Sequence, residues 1–321
     1  MQSFSPAQLR KRVGNKKWIF AYNELMAMHD PKNNLVELIE DYAPPNGLFG
    51  EAWRALHFPR TSPCVVGARR EGTKTLFRIK PGKHKLNLMS TFAPIGIEEV
   101  AIKGDEVRVT YAGLGGGGVS ASFCRGLAKG VKRVEVIEWG GGEKFGKATV
   151  VLPRLEKLII SVDDTDTPEE GATYALVHNI AMGAQNPNVR YMTHVNAQLY
   201  PENPDKTKNC MSTAVSFAVK PGHQDGVVKY FERELKKYSL SKNTGMVVLK
   251  GILLPDAVRE YALRAKRGFL TSVGEAKEIA KKSGVDVYEV TGPRGVIGAM
   301  AGLGMHDNPE FAASLPNIYE F

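Results

Sequence analysis

The stretch that most restricts the fold is residues 158–171, where a short apolar run meets three carboxylates. Residues 158–162 are apolar except for Ser161, the pattern of a buried strand. The chain then reads Asp163-Asp164-Thr165-Asp166-Thr167-Pro168-Glu169-Glu170-Gly171. Three negative charges this close repel one another, and the fold has to offset that repulsion. Two readings are open on these residues alone. A divalent cation can offset it. Mg²⁺ takes one or two carboxylates and keeps its other positions for water or phosphate oxygens, as a phosphoryl-transfer site requires. Alternatively, Asp and Thr are ordinary N-cap residues, and the segment is an acidic turn that opens a surface helix.

Flanking segments supply the rest of the pattern. After the acidic loop, residues 172–183 read as a helix, 189–199 as a strand, 200–209 as a polar loop and 212–219 as a strand. Residues 225–238 carry Val227, Val228, Phe231 and Leu235 at helical spacing. Strands are expected at 245–249 and 287–290, and helices at 255–266, opened by a proline, and at 273–282. Before the loop, 75–80 and 106–111 alternate as half-buried strands do, and 134–138 is strand-like. Pro44-Pro45-Asn46-Gly47 is a turn signal. The glycine cluster 113–118 reads as a turn leading into a helix over 119–128. It is either an anion cradle or a tight structural turn. The second cluster, 140–142, and its flank 143–147 read as a loop, with Lys144 and Lys147 either solvated or able to close over phosphates. Pro153 precedes a new unit, and the boundary is expected near Leu155. The expected fold is α+β with two domains, mixed sheets and packed helices. Residues 1–155 form a partner or substrate domain with glycine-rich turns, and 156–321 carry the acidic loop.

Composition bounds the partners. Lys plus Arg outnumber Asp plus Glu by 43 to 34, a net charge of +9 that suits nucleotide, nucleic acid or an acidic protein. No apolar run approaches the ~20 residues of a membrane span, and the basic N-terminus has no signal-type apolar core behind it, so a cytoplasmic protein without a membrane partner is expected. Cys64, Cys124 and Cys210 form no CxxC pair, which argues against a zinc ribbon and fits a reducing compartment. Cys124 is either an activated thiol or a small buried side chain. His178 and His194 are either bases or ordinary packing residues. The aromatics Trp18, Phe20, Tyr22 and Trp53 read as core.

Val162-Asp163-Asp164-Thr165-Asp166-Thr167-Pro168, followed by Gly171-Ala172-Thr173-Tyr174, resembles the opening of the archaeal tRNA-Ile agmatidine synthetase family. Two later stretches agree in order: the loop from Tyr200 to Lys206-Thr207, and Arg294-Gly295-Val296-Ile297-Gly298-Ala299-Met300-Ala301. The resemblance implies a kinase-like domain over about residues 156–321 that uses ATP and Mg²⁺. It implies that Asp163, Asp164 and Asp166 hold the metal, and that Asp163, Asp164 and Lys206 are catalytic. It also implies that Asp166, Thr165, Gly171, Thr173 and Thr207 meet the nucleotide, and that Gly295 and Gly298 let a helix N-terminus approach the phosphates. The chain departs from that family at Ala172, where the family has cysteine. It departs again at Lys206-Thr207-Lys208-Asn209-Cys210, where the family has Lys-Thr-Arg-Gly-Asn.

A second resemblance runs over the full length. The glycine cluster with Cys124 and Arg125, the Pro153-Arg154 pair and the run 162–181 are similar to methanogenesis marker protein 11. This implies an ATP- and Mg²⁺-dependent step that phosphorylates or activates an acceptor during maturation or modification of methyl-coenzyme M reductase or its cofactor. That reductase or its maturation factors would be partners. Two alternatives stand beside it: an ATP-dependent RNA-modifying enzyme with a nucleic-acid partner, and a non-enzymatic nucleotide-binding assembly factor.

Overall fold

The computed structural model describes residues 1–42, 48–204, 206–207, 209–269 and 271–316, with only the backbone of Leu48 and Phe49. The turn expected at Pro44-Pro45-Asn46-Gly47 lies outside the described residues, as do Asp205 and Lys208 of the polar loop. The fold is α+β, and the chain divides into two compact units, Met1–Leu155 and Glu156–Phe321. Among the described residues no helix is long and apolar enough to cross a membrane.

Unit 1 runs through β1 (Gln2–Phe4), α1 (Pro6–Val13), β2 (Glu24–Asp30), β3 (Leu35–Asp41), α2 (Leu48–Thr61), β4 (Val65–Glu71), β5 (Lys74–Ile79), β6 (Gly82–Lys83), β7 (Ile95–Lys103), β8 (Glu106–Gly113), α3 (Gly115–Val119) and β9 (Arg133–Glu138) into β10 (Gly146–Asp163). The order β4-β5-β3-β2 is antiparallel, and β2 joins β10 by a short parallel register at Arg154 and Leu155. The order β6-β7-β8-β10-β9-β1 is antiparallel throughout. Helix α1 starts where Ser5 and Gln8 form a reciprocal capping box with Pro6 at the first helical position.

Two expectations are corrected here. The glycines of 113–118 do not form a turn: four of them are the body of α3, which continues into a π-helical turn, Ser120–Cys124, and a 3₁₀ turn, Arg125–Leu127. The reason is backbone packing against distant residues. A Cβ on Gly117 would stand 2.8 Å from the Pro94 carbonyl oxygen, and one on Gly140 would stand 2.1 Å from the Gly118 carbonyl carbon. Gly140 and Gly146 are therefore seats for α3, and Lys147 pairs with Glu98 at 2.5 Å as part of β10. β10 runs continuously through Pro153 and past Leu155, where unit 1 ends. Pro153 pairs with Glu106 at the end of the β8 ladder and lies beyond the β9 ladder, where no partner needs its missing N–H.

Unit 1 also buries an ion cluster that its sequence hides. Glu40 on β3 accepts from Arg125 Nε at 2.9 Å, from Arg125 Nη2 at 3.0 Å and from the Tyr111 hydroxyl at 2.7 Å, and Arg54 Nε of α2 stands 3.0 Å away. Arg54 also donates to Glu51 at 2.7 Å. Burial pushes the Glu40 carboxyl up, but the two guanidiniums outweigh it and hold its pKa below the usual value. Removing one partner of such a cluster leaves an uncompensated buried charge. Glu40→Ala is therefore expected to cost about 3–5 kcal/mol of stability, read from urea unfolding midpoints. A cost no greater than that of an exposed pair, about 1 kcal/mol, would contradict the role given to the cluster.

Unit 2 takes the second part of β10 and continues through α4 (Thr173–Gly183), β11 (Val189–Gln198), β12 (Met211–Val219), α5 (Gln224–Tyr238), β13 (Gly245–Lys250), α6 (Asp256–Lys266), α7 (Val273–Ser283), β14 (Asp286–Glu289), α8 (Gly295–Met305) and α9 (Pro309–Ala313). Its sheet has the antiparallel order β11-β12-β10-β13-β14, which makes residues 158–162 the central strand. Successive side chains on a strand point to opposite faces. Leu158, Ile160 and Val162 accordingly pack with Val177 and Ile180 of α4 and Phe231 of α5. Ile159 packs on the other face with Val258 and Tyr261 of α6 and Val296 of α8. Ser161 shares that second face because α8 comes too near for a larger side chain. A Cβ on Gly302 would stand 2.8 Å from Ser161 Oγ and 2.4 Å from Ser212 Oγ.

Candidate functional site

The central strand β10 ends at Asp163, so the acidic loop leaves the sheet between β12 and β13. Asp164 follows in the left-handed region, with φ of 63°, a conformation Asp tolerates better than most residues. Its carbonyl accepts the Thr244 hydroxyl at 2.8 Å. Its carboxylate takes Arg294 Nε at 3.0 Å and the Thr207 hydroxyl at 3.2 Å, from two different loops. Thr165 is buried, and its carbonyl accepts the Leu240 amide at 2.8 Å. Thr173, the first residue of α4, accepts from the Thr165 amide at 3.2 Å and the Thr165 hydroxyl at 3.0 Å, and donates to Asp166 Oδ1 at 3.2 Å. Its hydroxyl thereby ties the loop to the helix start, where Ala172 offers no side-chain cap. Gly171 closes the loop at φ of +100°, where a Cβ would stand 2.8 Å from Asp166 Cβ.

Helix α8 supplies the opposite wall. A Cβ on Gly298 would fall 1.6 Å from Asp163 Oδ2, so the Asp163 carboxylate occupies the space of a missing side chain. A Cβ on Gly295 would stand 2.7 Å from the Asp163 carbonyl oxygen. The two glycines thus admit Asp163 and its strand. The first amides of α8 are already engaged: Gly295 donates to Asn243 at 2.8 Å, Val296 to Pro293 at 3.2 Å and Ile297 to Arg294 at 3.0 Å. This is a different use of the glycines from the phosphate approach implied by the resemblance.

Around these groups lies a cleft of about 310 Å³. Asp163, Asp164, Asp166, Gly171, Thr173, Lys206, Thr207, Gly295 and Gly298 all line it, whereas Thr165 stands behind them, buried. Lys206 is exposed and its ammonium donates to the Pro201 carbonyl of its own loop. Apolar lining comes from Leu199, Tyr200, Met211, Phe269, Ile297 and Ala301. Arg294 is the site residue that sequence reasoning passed over; a lone arginine before a glycine run carries no sign of a carboxylate partner 130 positions away. His178 and His194, considered as bases, stack on each other at 5.6 Å and do not line the cleft. Cys124 is buried in unit 1 and burial pushes its thiol pKa up, which is the packing role.

The carboxyl of Asp163 is enclosed, although the residue keeps some exposed surface. Burial first and then the neighbouring Asp164 push its pKa well above the usual value. The enclosure and the neighbouring carboxylate thus disfavour the charged form of this side chain unless a cation joins it. Asp163 and Asp164 together fit a divalent ion of the kind that takes one or two carboxylates and leaves its other positions to water or phosphate. Among the described residues no three His, Cys, Asp or Glu side chains converge as a metal site, and Asp166 is turned to Thr173. The raised pKa has a definite sign for stability. Its favourable contribution is complete below the unfolded value of about 3.9 and is lost as pH rises through the folded value. Without added metal, wild-type stability minus that of Asp163→Asn is therefore expected to fall as pH rises from about 4 to 8, measured by urea unfolding of both proteins across that range. A difference independent of pH would remove the assignment.

Known proteins share parts of this chain. The uncharacterized protein MJ0921 of Methanocaldococcus jannaschii is 42% identical over 295 residues, covering 92% of this chain and 97% of that protein. The TiaS TCKD domain family matches residues 159–228, which include the acidic loop and β12. The tRNA 2-agmatinylcytidine synthetase TiaS of Pyrococcus horikoshii is 26% identical over 155 residues, 46% of this chain but only 35% of the synthetase. Among solved structures, the complex of TiaS with its tRNA and ATP aligns with a TM-score of 0.42 at 19% identity, over 46% of this chain and 36% of that one.

Proposed function

The chain belongs to the family of the M. jannaschii protein MJ0921, and we propose that its unit 2 binds ATP with a divalent ion and uses it to modify RNA. One observation carries the reading: the Asp163 carboxyl, enclosed against Gly298 beside Asp164 at the end of a central strand, inside a cleft within and beside the stretch that matches the TiaS domain. The RNA acceptor follows from that domain match and from the similarity to a tRNA-modifying synthetase. A net charge of +9 suits a polyanionic partner.

In this reading Asp163 and Asp164 hold Mg²⁺, which supplies positive charge against the triphosphate. Arg294, paired with Asp164, is the cation nearest the carboxylates and meets phosphate oxygens. Lys206 reaches a phosphate by leaving the Pro201 carbonyl. Thr207 and Thr173 hold Asp164 and Asp166 in place through their hydroxyls. An acceptor oxygen on the RNA attacks a phosphorus of ATP and displaces ADP or pyrophosphate, leaving a phosphorylated or adenylated position ready for substitution. Ala172 and the 206–210 loop depart from the synthetase pattern, so agmatine is not part of the proposal. The acceptor in methyl-coenzyme M reductase or its cofactor rests on the second resemblance alone and enters as an outcome of the test.

Purified protein is expected to bind ATP in calorimetry only with Mg²⁺ present, and to consume it faster when unmodified tRNA is added. Asp163→Asn and Asp164→Asn should each lower turnover about 100-fold or more. RNA binding should weaken steeply with salt, as phosphate contacts release counterions. No nucleotide binding with or without Mg²⁺ sinks the proposal. Turnover stimulated by reductase subunits and indifferent to RNA replaces the acceptor.

A further inference from the structure

Unit 1 contains a cavity of about 610 Å³ that the proposed ATP chemistry does not use. Its walls are aromatic: Trp18, Phe20, Tyr22, Tyr42 and Trp53 all face it. Trp18 and Phe20 read as core from the sequence, yet they are 55% and 41% exposed. Phe20 lies parallel to Tyr22 at 5.8 Å, and Tyr42 stands edge-on to both, at 5.1 and 5.0 Å. Large aromatic faces left partly open to solvent have area to offer a planar ligand.

The floor is made by the two buried arginines. Arg54 and Arg125 line the cavity while keeping 3% and 0% of their surface exposed. Arg125 spends its donors on Glu40 and on Ser120 Oγ at 2.8 Å. Arg54 does not. A guanidinium carries five N–H donors. Among the described residues Arg54 makes one hydrogen bond, to Glu51. Its Nε stands 3.0 Å from Glu40 but without the alignment of a hydrogen bond. Its Nη1 makes no hydrogen bond among the described residues, so this guanidinium, though paired with carboxylates behind it, keeps donors for an acceptor entering the cavity it lines.

The chemistry selects the ligand. A quaternary or protonated amine would suit an aromatic cage, but the lining offers it guanidinium donors and, among the described residues, no carboxylate to pair with. An isolated phosphate would leave the aromatic walls unused. What matches both is a planar heteroaromatic ring with adjacent acceptor atoms on one edge. The O6 and N7 edge of guanine accepts a guanidinium bidentately in this way, and aromatic side chains stack on unpaired bases.

We propose that the unit 1 cavity is a nucleobase site, with Trp18, Phe20 and Tyr42 holding the ring and Arg54 reading an acceptor edge such as that of guanine. The base comes from a free nucleotide or from an unpaired position of an RNA strand. Only the second source deepens the reading of unit 2 as RNA-modifying; the cavity itself does not depend on ATP use.

The test uses the full chain and calorimetry with GMP, CMP, ribose 5-phosphate and a short single-stranded RNA containing one guanosine. GMP or the oligonucleotide should bind measurably more tightly than ribose 5-phosphate, and Trp18→Ala should weaken that binding about tenfold or more. Trp18 is largely exposed, so this variant keeps its fold, and its ATP·Mg²⁺ binding should match wild type. Arg54→Met should flatten the difference between GMP and CMP. Asp163→Asn should leave base binding intact, which separates failure here from failure of the ATP site. Oligonucleotide binding far above GMP assigns the base to RNA; equal binding assigns it to free nucleotide. The proposal is overturned if neither probe exceeds ribose 5-phosphate, or if Trp18→Ala leaves binding unchanged.

Discussion

Where α8 meets β13 and the end of β10, backbone touches backbone. A Cβ on Gly245 would stand 2.2 Å from the Val296 amide nitrogen, and one on Gly295 would stand 2.4 Å from the Gly245 nitrogen. Only glycine on both sides permits that approach. The arrangement of the cleft follows from it. Because α8 lies this low on the sheet, the Asp163 carboxylate sits against Gly298, and Ser161 has to be small beneath Gly302. Arg294, at the start of the same helix, is brought to Asp164. The helix is glycine- and alanine-rich because its distance from the strands is fixed first and its side chains have to fit the space that remains.

Unit 1 uses the same device with a different result. Helix α3 is held by backbone contact with Pro94, Gly140 and Gly146, and the turns that follow it carry Arg125 to Glu40 and Ser120 to Arg125. The fully buried Arg125 is tolerable because Glu40, Tyr111 and the ring faces of Tyr22 and Tyr111 surround it. In each unit the glycine helix borders the cavity: Gly116 and Gly117 line one, Gly295 and Gly298 the other.

What the sequence disclosed depended on how local the cause was. Residues 225–238 show helical spacing, and α5 buries Val227, Val228, Phe231 and Leu235. The alternating strands β5 and β8 were legible for the same reason. Helix α8 was expected only through the resemblance and not from periodicity, because it is apolar on all sides and shows no polar face to mark a period. The glycines of α3 looked like a turn because their packing partners are remote in the chain. Glu40 and Arg125 are 85 positions apart, and neither has a local reason to be buried. Trp18 and Phe20 read as core on residue type alone, whereas the structure leaves them on the open side of an aromatic wall. The acidic loop itself was visible in three aspartates. Its geometry depended on Thr173, Thr207, Thr244 and Arg294, four partners spread over later segments.

That distribution of partners bears on what the cleft accepts. Three carboxylates line it, with one guanidinium already committed to Asp164 and one ammonium turned to its own loop. A triphosphate brings further negative charge into the same space, and like charges at short range in a partly enclosed site repel strongly. Nucleotide entry without an added cation is therefore unfavourable from both sides. In the proposed reading a divalent ion would reverse that balance, with Asp163 and Asp164 as its carboxylates and Arg294 left to meet a phosphate oxygen. Under the proposed function, metal and nucleotide would be coupled by this charge balance, because the carboxylates that would hold the ion are the same ones that disfavour a triphosphate arriving alone.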